Sequence, residues 1–271
     1  MRRLKIRLCP LRKESTMLKL IQNEHMKWFH KRSTKITFIT IGILTLCMAL
    51  LMKKVSNSAG TEDNILNFLS FSSGMLILVQ FFALAVGGSM VAKEFEAGTI
   101  KLLLIRPARR STILASKYIT LILISLYYLL SYLLFSFVWG ALFFGFASLE
   151  GDAQLLKNIT LTYDSAYMET FMMMTFAFML SSLFRNSALA SSLAIVVSIG
   201  AKAVTGIVSQ YGLWWGKFLL FANTNFVQYM DGMKTMFDGM TIPFSIFILV
   251  AHFVFFMGVA WAAFLKRDVA N

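Results

Sequence analysis

The stretch VAKEFEAGTIKLLLIRPARRSTILASKY, residues 91–118, gathers charge in the middle of a chain that is 58% hydrophobic. Its two carboxylates, Glu94 and Glu96, are the first candidates for chemistry. A general acid–base pair or a divalent-metal site needs both carboxylates on one face. Residues two apart on a helix point away from one another, so this pair does not read as such a site. The other reactive side chains are scattered. His252 stands alone in an apolar run and reads as a packed core histidine, while His25 and His30 read as interfacial side chains. Cys9 lies in a basic tail and Cys47 in an apolar run, which gives neither a disulfide framework nor a metal site. No H-E-x-x-H, G-x-S-x-G or P-loop motif occurs. The nearest approach to a P-loop, GLWWGKF at residues 212–218, is one residue short between its glycines and lacks the Ser or Thr. Its Trp214 and Trp215 read as an interfacial aromatic anchor. The chain is therefore expected to be no enzyme and to hydrolyse no ATP itself.

Membrane helices must position whatever function remains. Only 14% of residues are charged, mean hydropathy is +0.69, and three prolines occur in 271 residues. Several apolar runs exceed the roughly 18 residues that mark a membrane-spanning helix. The short alternating strands of a transmembrane barrel are absent from the pattern. The expected fold is all-α and polytopic, with six spans at about residues 36–52, 65–91, 118–147, 166–184, 187–209 and 242–265. Residues 1–35 form a basic tail, and residues 266–271 a second one. The first apolar run follows a long basic segment, so it is expected to stay as a span and not to be cleaved. Abundant Phe and Met fill the core and identify no substrate.

Lys and Arg set the orientation. Twenty of the 26 fall in the N-terminal tail, residues 93–117, the turn at Arg185 and the C-terminal tail. The positive-inside rule then places both termini in the cytoplasm and the protein in the cell membrane as a multi-pass chain. The net charge of +13 follows from this topology, so no nucleic-acid partner is expected. From Met17 onward, Leu18, Ile21, His25, Trp28 and Phe29 share one helical face, opposite Lys19, Asn23, Lys27 and His30. That pattern predicts an amphipathic helix on the inner membrane surface, its basic face towards anionic lipids. The alternative is a plain basic flank to the first span.

One intramembrane pair stands out. A short turn at Arg185–Asn186 joins the fourth and fifth spans, so they pack as an antiparallel hairpin. Glu169 and Lys202 are equally far from the centre of that turn. At about 1.5 Å per residue, both sit roughly 25 Å above it. An ion pair is expected there, against an arrangement in which Lys202 snorkels outward alone. In the outer segment, Asn223, Asn225 and Gln228 read as local capping groups, with contact to an exiting substrate as the alternative.

The charged stretch itself reads as a docking element. Gly98 permits a break in the helix. Ile100, Leu102, Leu103 and Leu104 form an apolar ridge that needs a protein or lipid surface to cover it. Pro107 disfavours helix at Arg106 and ends the segment. Ser111 is the expected N-cap of the third span's helix. The stretch EFEAGTIKLLLIRPARRSTILASKY resembles the signature of ABC-2 type transporter permeases, an E-x-E-x-G-T segment followed by R-P-x-x-R and a Lys at the start of the third span. LSSLFRNSALASSLAI, residues 180–195, is similar to that family's turn between spans four and five. LIQNEHMKWFHKRST, residues 20–34, is similar to its N-terminal surface helix. The likeness runs from Met17 to nearly the C-terminus, so residues 1–16 are expected to be dispensable.

That resemblance implies the membrane subunit of an ATP-driven exporter. The loop at residues 92–107 becomes a coupling helix seated in a separate ABC ATPase subunit, with Glu94, Glu96, Gly98, Thr99 and Ile100 at or near the contact. ATP and Mg belong to that partner, and this chain holds no cofactor or metal. Two permease copies, identical or similar, enclose the substrate path. The rival expectation is a stand-alone carrier or channel driven by an ion gradient, which usually places ionisable groups deep in its spans. Here these are few: Lys202, Glu169 and His252, with polar Gln80 in span two.

Overall fold

The computed structural model describes residues 17–60, 63–99, 109–146, 153–230 and 233–266. They form helices joined by short turns, and no strand occurs among the described residues. In chain order the helices are α1 (Met17–Phe29), α2 (Arg32–Ala59), α3 (Ile65–Ser72), α4 (Leu76–Ser89), α5 (Ala92–Glu96), α6 (Arg110–Phe144), α7 (Ala153–Leu183), α8 (Ser187–Gln210), α9 (Leu220–Thr224) and α10 (Ile242–Lys266).

Five helices are long and apolar enough to cross a membrane: α2, the continuous unit Ile65–Ser89 made of α3 and α4, α6, α8 and α10. This fits a multi-pass membrane protein. The expected fourth span, residues 166–184, lies in α7 and is not among the five. The physical reason is its place in the bundle. α7 is packed by α4, α8 and α10, and Met172, Met173, Met174, Ala177 and Phe178 are buried against them. A helix walled by helices does not need the apolar surface of one facing lipid. It therefore tolerates Glu169 and several Ser and Thr, while Asp164 is exposed before this stretch.

The helices also overrun the sequence-based limits. α2 begins at Arg32 and α6 at Arg110. Arg109, not Ser111, is the N-cap of α6, in extended geometry and with no capping side chain; Ser111 already lies in the first helical turn. The unit Ile65–Ser89 is interrupted by a 3-10 turn at Ser73–Met75. The Tyr132 hydroxyl donates to the Ser72 carbonyl at this kink, 2.5 Å away.

The two largest packed clusters tie most of the helices together. One joins α4, α6, α7, α8 and α10 through Leu84, Leu121, Phe178, Ala194 and Ala260. The other ties α1 and α2 to α6 through Trp28, Ile41 and Tyr128. α4 packs between α7 and α8, and Gly88 lets it approach α8 closely. A Cβ built at Gly88 would lie 2.6 Å from the Cα of Ser191. Outside these clusters, α2 exposes Ile36, Ile39, Ile43 and Leu50, and α10 exposes Phe247, Val250, Val254 and Phe255. Rows of large exposed apolar side chains on such helices are what a lipid-facing surface displays.

α1 packs on α6. His25, Trp28 and Phe29 of its expected apolar face meet Tyr127 of α6. Leu20 is buried with Trp28, while Leu18 is 77% exposed. Glu24 meets a buried lysine of α6.

Candidate functional site

The charged stretch enters the site at the end of α4. There the chain leaves one helix and starts α5, so two backbone N–H groups have no helical partner. The Ser181 hydroxyl of α7 accepts from both, at 2.9 Å from Val91 N and 2.9 Å from Ala92 N. All three residues are buried, so this hydroxyl replaces water that cannot reach them.

Glu94 and Glu96 then part company, as their spacing on a helix requires. Glu94 turns inward and is 6% exposed. Its Oε1 accepts from Lys27 Nζ of α1 and, at 3.4 Å, from Lys117 Nζ of α6. Its Oε2 accepts from the Thr99 hydroxyl. Lys117 is 1% exposed and donates a second bond to Glu24 Oε2 of α1, 3.0 Å away. Two lysines and two glutamates thus form one neutral network joining α1, α5 and α6. Burial alone pushes the Glu94 carboxyl upward, but the Lys117 charge and the bonds from Lys27 and Thr99 outweigh it and hold the pKa at about 2.

Gly98 makes this closure reachable. Its φ of +66° lies in the left-handed region, which glycine enters without penalty. The turn reverses the chain after α5 and brings Thr99 back over Glu94. Nothing approaches the position of a Gly98 Cβ within 4 Å, so the requirement is one of backbone shape and not of space.

Glu96 points the other way and is exposed. Its Oε2 accepts from the Ser187 hydroxyl at 2.5 Å and the Ser187 backbone N–H at 3.4 Å, at the N-terminus of α8. A carboxylate there also meets the positive end of the helix dipole. Ile100 and the apolar ridge at residues 102–104, with Pro107, lie outside the described residues, as do residues 1–16.

On the opposite end of the α7–α8 hairpin, the structure brings Glu169 and Lys202 together. Lys202 Nζ donates to both carboxylate oxygens, at 3.1 and 3.0 Å. The pair borders a cavity of about 250 Å³ that Ser165, Thr205, Thr224 and Asn225 also line. Nearby, Asn225 caps the turn at Val227, and Gln228 bonds the backbone of Ala222 and Met236. Asn223 donates to the carbonyls of Lys217 and Leu219 and accepts from Ser245. All three thus make local hydrogen bonds. His252 bonds the Ile248 carbonyl of its own helix, His30 that of Met26, and His25 the Tyr127 hydroxyl. No group of His, Cys, Asp and Glu among the described residues is arranged to hold a metal ion.

Glu24, Ser181 and Ser187 were not distinguished by sequence reasoning, and Lys117 only as part of a motif. Lys117 had a signal available: a lone lysine inside an apolar helix needs a carboxylate, and Glu24, Glu94 and Glu96 are acids on neighbouring elements.

The sequence profile of the family described as "Protein of unknown function (DUF2705)" matches residues 37–270, and the chain belongs to that family. It is 40% identical over 244 residues to the uncharacterized membrane protein YdbK of Bacillus subtilis (strain 168), covering 90% of this chain and 99% of that relative. It is 36% identical over 225 residues to the uncharacterized protein YhcI of the same organism, covering 78% and 71% respectively.

Proposed function

We propose that this member of the DUF2705 family is the membrane subunit of an ATP-driven exporter of ABC-2 type, working with a separate ATPase subunit. The carrying observation is the way the loop after α4 is pinned. Glu94 ties it to α1 and α6, Ser181 ties it to α7, and Glu96 ties it to α8. The exposed tip, Glu96 to Gly98, stands between these anchors. A partner that pushed on such a tip would move several helices together, which is what coupling to an external motor needs.

In this reading α7 supplies the sixth crossing through residues 166–184, both termini are cytoplasmic, and the tip and residues 100–107 meet the ATPase. Glu94 serves the contact indirectly, by holding the loop, because its carboxylate is already occupied inside the chain. ATP and Mg sit on the partner. Two permease copies, identical or similar, share one substrate path. The chain carries no nucleotide-binding motif of its own, which agrees with this division of labour.

One observation favours a second reading, a carrier driven by an ion gradient. Glu169 and Lys202 face a partly polar cavity between helices, where coupled ions are commonly handled. Affinity purification from the native membrane separates the two. Under the first reading an ATPase subunit co-purifies, and a cysteine placed at exposed Ala97 crosslinks to it. Its reproducible absence, with transport intact in ATP-free vesicles given an ion gradient, overturns the first reading in favour of the second.

A further inference from the structure

The end of α1, the start of α2 and the chain leaving α4 enclose a cavity of about 170 Å³. Three lysines line it: Lys27, Lys31 and Lys93. The charges around it do not cancel. Glu24 and Glu94 are matched by Lys117 and Lys27. Lys31 and Lys93 remain, and neither makes an ion pair or a side-chain hydrogen bond among the described residues. Lys31 is half-buried. Its pKa is held below the ordinary lysine value first by that burial, then by repulsion from Lys93 and Lys27. Bringing two unmatched ammonium groups to one partly buried cavity costs free energy unless an anion joins them.

Two further features point to the anion. Lys31 is the N-cap residue of α2, and no side chain caps that helix, so its positive end lies at the rim. Glu24 and Glu94 also line it, and the rest of the wall is Trp28, Val86, Met90 and Ala97 with the hydroxyls of Ser89 and Thr99. The cavity also lies where two candidate membrane-crossing helices end, Arg32–Ala59 at its start and Ile65–Ser89 at its finish. That is the depth at which lipid headgroups sit.

We propose that this pocket binds a phosphate group, carried by an anionic phospholipid headgroup or by a soluble phosphate. Lys31 and Lys93 supply the charge, and Lys27 bridges from phosphate to Glu94. The bound phosphate thereby fastens α1 to the loop that follows α4. This assignment is independent of whether an ATPase docks on that loop.

The test uses the full chain, purified in detergent and stripped of lipid. Thermal unfolding is followed on titration with phosphatidylglycerol, with diacylglycerol as the phosphate-free lipid, and with inorganic phosphate. The variants are Lys93→Gln, the double Lys31→Gln/Lys93→Gln, and a control double, Lys19→Gln/Lys157→Gln, at lysines that do not line the pocket. Stabilisation of the parent by phosphatidylglycerol alone, with the half-effect concentration at least tenfold higher in the pocket double, assigns the site to lipid. Stabilisation by millimolar inorganic phosphate, lost in the same double, assigns it to a soluble phosphate. Without ligand the pocket double should unfold at or above the parent's temperature, because a repulsion has been removed. Lys93→Gln alone, at an exposed position, should show a reduced shift in the same direction. The proposal is overturned if the parent responds to neither compound, if the pocket double responds as the parent does, if diacylglycerol acts as well as phosphatidylglycerol and phosphate has no effect, or if the control double loses the response equally.

Discussion

The buried network around Lys117 makes a quantitative prediction for Glu94→Gln. The substitution keeps the shape of the side chain and removes its charge. At 3.4 Å and an effective dielectric near 20, the Glu94–Lys117 attraction is about 5 kcal/mol before desolvation. Returning the carboxylate's hydration offsets a large share of that. Lys117 also keeps Glu24 at 3.0 Å, so it is not left alone. A net loss of about 2–3 kcal/mol is expected. The pKa agrees with this scale: a carboxyl lowered from 4.5 to about 2 corresponds to about 3 kcal/mol at neutral pH. For a chain of this length each kcal/mol moves Tm by about 2–4 °C, so Glu94→Gln should lower it by roughly 4–12 °C. The pH dependence has a defined sign. Glu94 has a depressed folded-state pKa, so its contribution is present above about 4.5 and fades as pH falls from there towards 2. Thermal unfolding of parent and variant, followed by tryptophan fluorescence in the same detergent at pH 7, 4.5 and 3, measures both effects. The gap should be full at pH 7 and narrow by pH 3. A variant as stable as the parent at pH 7, or a gap that does not change with pH, would refute the network's role.

Gly98→Val forces a β-branched residue to a φ of +66°, at a cost of about 1–2 kcal/mol or more, and should open the Thr99–Glu94 closure. Limited proteolysis of the loop should be faster in Gly98→Val and intermediate in Gly98→Asn; a parent-like rate in the Val variant would contradict this. Gly88→Ala puts a Cβ 2.6 Å from the Ser191 backbone and should cost about 1–3 kcal/mol, and adding Ser191→Gly should not restore Tm because the clash is with backbone. Glu169→Lys and Lys202→Glu should each lower Tm and expression, with the double swap recovering both; a double mutant no better than the worse single would sink the pairing. Ser181→Ala orphans two buried N–H groups and should cost about 1–3 kcal/mol, more than Glu96→Ala at its exposed bond, and the order of the two Tm values checks it.

Much of the helical layout was legible because lipid imposes a simple rule. A helix facing hydrocarbon must be apolar for about 20 residues, and α2, the unit Ile65–Ser89, α6, α8 and α10 obey it. The rule weakens where helices face one another. α7 buries Met172 to Met174 and Phe178 against its neighbours, so polar residues elsewhere along it do no harm and its hydropathy no longer marks it. Helix ends were the least legible part. Membrane thickness fixes the apolar centre but not the polar extension, which is why α6 starts at Arg110, well before the apolar run.

The site was legible in direction and not in partners. Spacing alone separates Glu94 from Glu96, and the structure sends them to opposite sides of the loop. Thr99 and Lys117 lie 5 and 23 residues from Glu94, but Lys27 lies 67 residues from it and Ser187 lies 91 from Glu96, and no local pattern encodes those two meetings. α1 shows the same limit. Its apolar stripe is legible, and His25, Trp28 and Phe29 from it meet Tyr127 of α6. Its meeting with Lys117 is not. An unmatched buried ammonium costs several kcal/mol. Lys117 therefore needs a carboxylate, and Glu24 of α1 and Glu94 of α5 supply two. That requirement is met between separate helices, so the sequence shows the lysine and the acids but not their meeting.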